Sequence, residues 1–182
     1  MKTHGSTPRS APKIFVRGLS AGSPRGVLTY GNLSFPCAFG RSGRRVGKRE
    51  GDGATPLGSF ALRQAFYRPD RLPRPVTCLA LSALGPSDGW CDAPTDRNYN
   101  RQIEHPYPAS AERLWRDDGL YDVVVVMGYN DRPRIVGHGS AVFMHVAGAG
   151  FPPTEGCIAL ARPHLLRLLQ AISPGTRIDV SA

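Results

Sequence analysis

Five consecutive apolar residues, Val123–Met127, form a run with no polar alternation. β-Branched side chains in so short a run favour a strand, and the missing alternation predicts that both faces of it are buried. The sequence around this run is broken by 21 glycines and 17 prolines in 182 residues. That density of turn-forming residues excludes a long-helix bundle and suits a mainly β fold with long connections.

The same reading extends along the chain. Residues 14–17, 26–30 and 33–38, with a turn at Gly31-Asn32-Leu33, predict the start of a β-meander. Residues 59–66, 76–81 and 141–145 predict further strands. Residues 163–172 predict a helix, with a proline at its start and Leu165, Leu168, Leu169 and Ile172 on its apolar stripe. Pro174-Gly175 ends it, and residues 177–180 predict a closing strand. Residues 85–119 have little periodicity apart from one or two expected helical turns over 110–116. A connection this long is expected to be an excursion from the sheet, acting as a lid or a cleft wall. Residues 1–12 are polar and rich in proline and serine and are expected to be disordered, leaving one domain over 13–182.

The net charge is +9, carried almost entirely by arginine, with lysine only at Lys2, Lys13 and Lys48. This balance suggests an anionic partner. The arginines are spread rather than clustered, and no aromatic β-face or zinc spacing is present, so no nucleic-acid partner is expected. No apolar run reaches membrane-spanning length, and no apolar core of a Sec signal is visible before Pro24. The cysteines at 37, 78, 91 and 157 form no Cys-x-x-Cys pair. Cys37 and Cys78 read as buried small apolar residues. His145 and Cys157 supply two of the four ligands a structural zinc needs, and His138 is the only local third, so neither metal nor cofactor is expected. The sequence sets no oligomeric state.

The chemistry-bearing stretch is His145-Val146-Ala147-Gly148-Ala149-Gly150-Phe151-Pro152-Pro153-Thr154-Glu155-Gly156-Cys157-Ile158. A strand, a glycine-rich loop and a return can set the thiol beside the imidazole, making Cys157 a nucleophile and His145 its base. Gly156 permits a tight backbone, and the N–H groups of Gly156, Cys157 and Ile158 are candidates for an oxyanion hole. The alternative on spacing alone is a core cysteine and an ordinary strand-end histidine. Candidates to orient His145 or edge the cleft are Gly139, Ser140, Thr154, Glu155 and His138. His138 would face away from His145 if one strand ran through both. A backbone carbonyl near Gly139 or in the 148–150 loop is a candidate for holding the imidazole, and Asp52 and Asp92 are acidic candidates. Trp90, Asp92, Asn98, Tyr99, Tyr129 and Asn130 are candidates for lining a groove, and Arg41, Arg44, Arg45 and Arg49 for binding anionic groups.

Three segments in order carry a family resemblance. They are Gly47-Lys48-Arg49-Glu50-Gly51-Asp52-Gly53-Ala54-Thr55-Pro56-Leu57-Gly58-Ser59-Phe60, then Gly137 to His145, then Thr154-Glu155-Gly156-Cys157-Ile158-Ala159-Leu160. Together they resemble the YkuD-type L,D-transpeptidases, over about residues 14–181. Gly89-Trp90-Cys91-Asp92 and Tyr99-Asn100-Arg101 resemble a small branch of that family. The resemblance implies a β-sandwich-like catalytic domain with a lid over its cleft, Cys157 as nucleophile and His145 as base. It implies attack on the amide between L- and D-centres of a tetrapeptide donor stem in peptidoglycan, loss of the terminal D-alanine, and resolution of the thioester by an acceptor amine of diaminopimelate. The linkage made is 3–3 or 1–3, and the implied location is the periplasm or cell envelope. The alternatives are an L,D-carboxypeptidase or amidase that trims stem peptides, and a non-enzymatic peptidoglycan-binding module.

Two positions depart from the family pattern. Glu155 stands where a histidine is common, and Ala159 where an arginine is common. An unpaired anion beside the thiol would raise its pKa, so Glu155 is expected to be paired or turned outward. Arg162 or an arginine of the 40–49 loop is expected to replace the missing one.

Overall fold

A computed structural model describes residues 12–182. Residues 1–11, where most of the expected disorder falls, lie outside the described residues. Three antiparallel strands open the fold: β1 (Lys13–Gly18), β2 (Arg25–Tyr30) and β3 (Leu33–Ala38). Two short strands, β4 (Arg44–Arg45) and β5 (Thr55–Pro56), brace the glycine-rich loop that follows. Next come β6 (Gly58–Tyr67) and β7 (Ala80–Ala83). The excursion carries β8 (Asp88–Cys91), β9 (Arg101–Glu104) and β10 (Ala111–Arg113). The chain ends with β11 (Val123–Met127), β12 (Phe143–Val146), β13 (Ile158–Leu160), α1 (Arg162–Ala171) and β14 (Arg177–Val180).

The large sheet runs β11-β12-β13-β3-β2-β1-β14-β6-β7, and β11 also pairs with β6. That second pairing rolls the sheet closed, so the expected sandwich is a curled, ring-closed one. Inside it pack Ile14, Val16, Leu28, Val123, Val125, Met127, Met144, Ile158, Leu160 and Ile178, with Leu165, Leu168 and Leu169 of α1 against them. A second cluster lies on the outer face of β11 and β12. There Val124, Val126, Phe143 and Cys157 meet Trp90, Leu114 and Tyr121. The Val123–Met127 run is therefore buried on both faces, one against each cluster.

The excursion has structure of its own. β10, β8 and β9 form a three-stranded antiparallel sheet laid on the barrel's outer face. The helical turns expected over 110–116 are strand instead. Pairing Ala111, Glu112 and Arg113 with Cys91, Trp90 and Gly89 outweighs the weak local preference. The strand expected at 76–81 is displaced to Ala80–Ala83, because Val76 is 70% exposed and no ladder reaches it. The strand expected at 141–145 begins only at Phe143, since Ala141 has a positive φ of 50°. Cys37 is buried, and burial pushes its thiol up to about 12. Cys78, expected inside, is exposed, and its Sγ donates to the Ile172 carbonyl.

Candidate functional site

Strand register brings the thiol and the imidazole to one surface. β12 and β13 are parallel neighbours, with His145 beside Ala159 and Met144 beside Ile158. Directly paired residues share a face and alternate residues return to it, so Phe143, His145, Cys157 and Ala159 lie on the outer face of the barrel. Cys157 and His145 both line a cavity of about 540 Å³, with the excursion as its opposite wall. Both are buried, at 8% and 6% exposure.

Each is held by its backbone surroundings. The Cys157 Sγ donates to the Ala141 carbonyl at 3.2 Å and receives the Phe143 N–H at 3.4 Å. The Cys157 carbonyl takes the hydroxyls of Thr154 at 2.6 Å and Thr55 at 3.4 Å. Thr55 also accepts the Gly40 N–H, so the Thr55-Pro56 segment clamps the cysteine turn from behind. Burial, with the nearby Glu112 charge adding to it, pushes the Cys157 thiol up to about 12. The His145 Nδ1–H donates to its neighbour's carbonyl, Val146 O, at 2.8 Å. That bond leaves Nε2 as the proton-accepting nitrogen. Burial and then the Arg116 charge hold the imidazole at about 4, against an opposing contribution from the Val146 bond. The resting pair is a neutral thiol and a neutral imidazole. The orienter of His145 is thus a backbone carbonyl, but that of Val146 rather than one near Gly139 or in the 148–150 loop, and neither Asp52 nor Asp92 fills that role.

A buried lysine and a partly buried aspartate stand behind the turn. Lys48, 4% exposed, donates to Asp52 Oδ1 at 2.8 Å. Asp52 also accepts the N–H groups of Arg49 and Ala54. Burial alone would raise Asp52, but these hydrogen bonds and the Lys48 charge outweigh it and hold the carboxyl at about 2. The Lys48 charge also acts to lower the Cys157 thiol. Gly156 has a φ of +129°, and a Cβ there would meet the Ala54 carbonyl at 2.8 Å and Lys48 Nζ at 3.3 Å. Gly156→Ala is expected to cost about 1–3 kcal/mol of stability, read by thermal melting. It should also alter the iodoacetamide reactivity of Cys157, because the carbonyl clamp must shift.

The remaining sequence candidates divide sharply. Ser140, Thr154, Glu155 and Asp92 line the cavity. Glu155 is mostly exposed and is bridged to Arg41 Nε at 2.9 Å, which meets the expectation that it be paired. Of the three oxyanion candidates, the Gly156 N–H is spent on Thr154 Oγ1 at 3.2 Å. The Cys157 N–H has no partner among the described residues. Ile158 lies within β13, buried. His138 is exposed in a turn, and its carbonyl accepts the Tyr129 hydroxyl. Positive φ at Gly137, Gly139 and Ala141 breaks the chain there, so no single strand carries both histidines.

Arg41, Arg44, Arg45 and Arg49 are absent from the cavity lining. Arg44 donates to the carbonyls of Ser20, Ser23 and Ser181, and Arg45 lies 3.6 Å from Asp52. Arg49 is exposed. Trp90 is core, edge-on to Phe143 with ring centroids 5.1 Å apart. Asn98 bonds the Tyr107 hydroxyl, Tyr99 donates to Glu50, and Asn130 pins the 130–139 turn through Ile135 and Gly139. Tyr129 borders a separate, smaller cavity. None of these side chains lines the main cavity.

Sequence reasoning missed several residues at the site. Lys48, Glu50, Glu112, Arg116 and Tyr121 all line the cavity. Arg116, and neither Arg162 nor a residue of the 40–49 loop, is the guanidinium at the cavity, while Arg162 bonds Asp122. Tyr121 packs edge-on to His145 at 5.4 Å and donates to Glu112 at 2.6 Å. Asn100 is a buried hub that accepts the Trp90 and Ala141 N–H groups and donates to the Tyr129 and Asn130 carbonyls. Its place between Tyr99 and Arg101 was the only sequence signal for it.

The family model for the L,D-transpeptidase catalytic domain, YkuD, matches residues 26–180. Among solved structures, the chain is similar to Bd1075 of Bdellovibrio bacteriovorus, at 14% identity and a TM-score of 0.49, covering 94% of this chain and 48% of that one. It is similar to L,D-transpeptidase 1 of Mycobacterium tuberculosis at 15% identity and a TM-score of 0.40, covering 94% and 63%. It is similar to an L,D-transpeptidase from Mycobacterium smegmatis at 14% identity and a TM-score of 0.45, covering 94% and 59%. The chain thus spans between about half and just under two thirds of the length of these structures. No curated relative matches it. No helix among the described residues is long and apolar enough to cross a membrane.

Proposed function

We propose that this chain, which belongs to the L,D-transpeptidase catalytic domain (YkuD) family, is a cysteine acyltransferase that joins peptidoglycan stem peptides. The observation that supports this best is the shared face of β12 and β13, which opens both Cys157 and His145 into one cavity. A neutral thiol beside a neutral imidazole with Nε2 unoccupied is the starting state for general-base attack. His145 Nε2 takes the thiol proton as Sγ bonds to the carbonyl carbon of the donor stem. The proton passes to the departing amine of the terminal D-alanine as the C–N bond breaks, leaving a thioester. The Cys157 N–H is the donor best placed by sequence to face the developing oxyanion.

An amine of diaminopimelate in the acceptor stem then attacks the thioester carbon. The C–S bond breaks, and a new amide crosslink forms. This substrate lies in the cell envelope, so the periplasm is where the protein would act. Water in place of the amine would make the same thioester an L,D-carboxypeptidase intermediate.

The test is incubation with purified disaccharide-tetrapeptide muropeptides, with Cys157→Ala as control and mass spectrometry with fragmentation as readout. The expected result is a crosslinked dimer made only by the cysteine form, with fragmentation distinguishing a 3–3 from a 1–3 linkage. Trimmed monomers alone would replace transpeptidation by carboxypeptidation. Sacculus binding by folded protein with no product would replace both by a binding module.

A further inference from the structure

The excursion contributes two carboxylates to the cavity for which the reaction scheme above has no role. Trp90 pairs with Glu112 across β8 and β10, and the Asp92 N–H continues the register to Ser110. Alternation along a strand therefore puts Asp92 and Glu112 on the face that carries Trp90. The Trp90 ring packs on Phe143, next to Cys157 in the core, so this face looks toward the nucleophile. Both acids line the cavity.

Their hydrogen bonding is incomplete. Asp92 Oδ1 is buried with no partner, and Asp92 makes no ion pair among the described residues, in a chain with 23 lysines and arginines. Glu112 accepts one bond from the Tyr121 hydroxyl, and Arg116 Nη1 stands 3.8 Å from the same oxygen. Ser140, only 7% exposed, reaches the cavity from the approach to β12, and its Oγ is also buried without a partner. Buried acceptors left without donors are costly, and a donor-rich cation entering the cavity relieves that cost. Burial, opposed by Tyr121 and Arg116 and reinforced by Asp92, raises the Glu112 pKa, as expected where two anions share a dry wall.

We propose that Asp92, Glu112 and Ser140 form a subsite for a primary ammonium, the charged amine of the acceptor. The assignment rests on the acyl-transfer reading above and deepens it. A primary ammonium has three N–H donors, which match two carboxylates and a hydroxyl. Tyr121 and Arg116 already draw on Glu112, which suits a singly charged group better than a divalent ion. Tyr121 touches both Glu112 and His145, so the ammonium is held on the side of the cavity where the thioester is resolved. The step balances simply. The ammonium gives one proton to the Glu112 carboxylate and becomes a neutral amine. Its lone pair forms the C–N bond as the C–S bond breaks. The amine's second proton goes through His145 to the departing Cys157 sulfur, and Glu112 later releases its proton to solvent.

The test compares wild type, Asp92→Asn and Glu112→Gln, each checked for folding by thermal melting. Glu112→Gln keeps an acceptor for the Tyr121 hydroxyl, so at least one variant preserves the wall. Intact-mass spectrometry follows the Cys157 thioester formed from a tetrapeptide donor. Product analysis then gives the ratio of crosslinked to hydrolysed donor as a diaminopimelate stem peptide is titrated. Hydroxylamine, uncharged at neutral pH, serves as a second nucleophile. The expected result is a ratio at least about tenfold lower for the stem peptide, with its half-saturating concentration raised correspondingly, and about the same ratio for hydroxylamine. An unchanged stem-peptide ratio overturns the subsite. So does an equal loss toward hydroxylamine, or a wild-type thioester that only water resolves at any acceptor concentration. A wild-type protein that forms no thioester overturns the acyl-transfer reading instead.

Discussion

His145→Gln will slow acylation of Cys157 by about 10²–10⁴-fold and remove the flat neutral region of its pH profile. With the thiol at about 12, only roughly one molecule in 10⁵ is ionised at neutral pH. Direct thiolate attack is therefore a minor route, and the proton must leave during the step. His145 is equipped for that because its Nδ1–H is committed to Val146 O and Nε2 is the acceptor. In the wild type the rate should climb as the imidazole loses its proton near 4, then stay level through neutral pH. In the variant it should climb about tenfold per pH unit toward 12, following the thiol alone. Rates of Cys157 alkylation by iodoacetamide across this range, read by intact mass, decide the matter. A variant profile identical to wild type would remove His145 from the mechanism. A wild-type profile already level below pH 4 would mean that a resting thiolate exists.

The same histidine makes stability pH-dependent. Folded, it protonates only near 4, whereas an unfolded chain protonates it near 6.5. Its effect is absent above the upper value. As pH falls through that window the unfolded state gains the proton first, so stability drops progressively toward 4.

Asp52→Ala will destabilise the protein by about 3–5 kcal/mol, lowering the melting temperature by roughly 10 °C. The substitution strands the Lys48 ammonium, 4% exposed, and frees the N–H groups of Arg49 and Ala54. Asp52 is held near 2, so its stabilisation is complete above the ordinary carboxylate range and is lost as pH falls toward 2. Lys48→Met in the same background should recover part of the loss, because the stranded charge is gone. Chemical denaturation of the two single variants and the double variant measures this. Additive losses would mean that Lys48 and Asp52 act independently. The effect should reach Cys157, the proposed nucleophile, since Lys48 packs under both Gly139 and Gly156. Cys157 alkylation is expected to change in Asp52→Ala even where the protein remains folded.

Sequence patterning reached far where the determining contacts are local or periodic. The Val123–Met127 run needed no partner to declare a strand buried on both faces, because only a strand presents alternate residues to opposite sides. The helix was legible to within a residue from its proline start and leucine stripe. That Cys157 and His145 come to one surface was legible from a thiol and an imidazole joined by a glycine-rich loop, and both line one cavity. Where tertiary pairing competes with weak propensity, the reading failed. Ala111–Arg113 became strand because β8 offered a ladder, and Arg44 turned to the carbonyls of three distant serines.

By itself, then, the sequence determined the class of fold, the strand that anchors it, the family, and the thiol and imidazole proposed to carry the chemistry. The tertiary structure alone decided which charges surround that chemistry. Glu112, Arg116 and Tyr121 lie more than twenty residues before His145 in the chain, and Lys48 lies nearly a hundred before it. They share one cavity only because the excursion folds back over β11 and β12 and the 40–58 loop wraps beneath the cysteine turn. Electrostatic effects follow distance and burial in space, and neither is encoded in spacing along the chain.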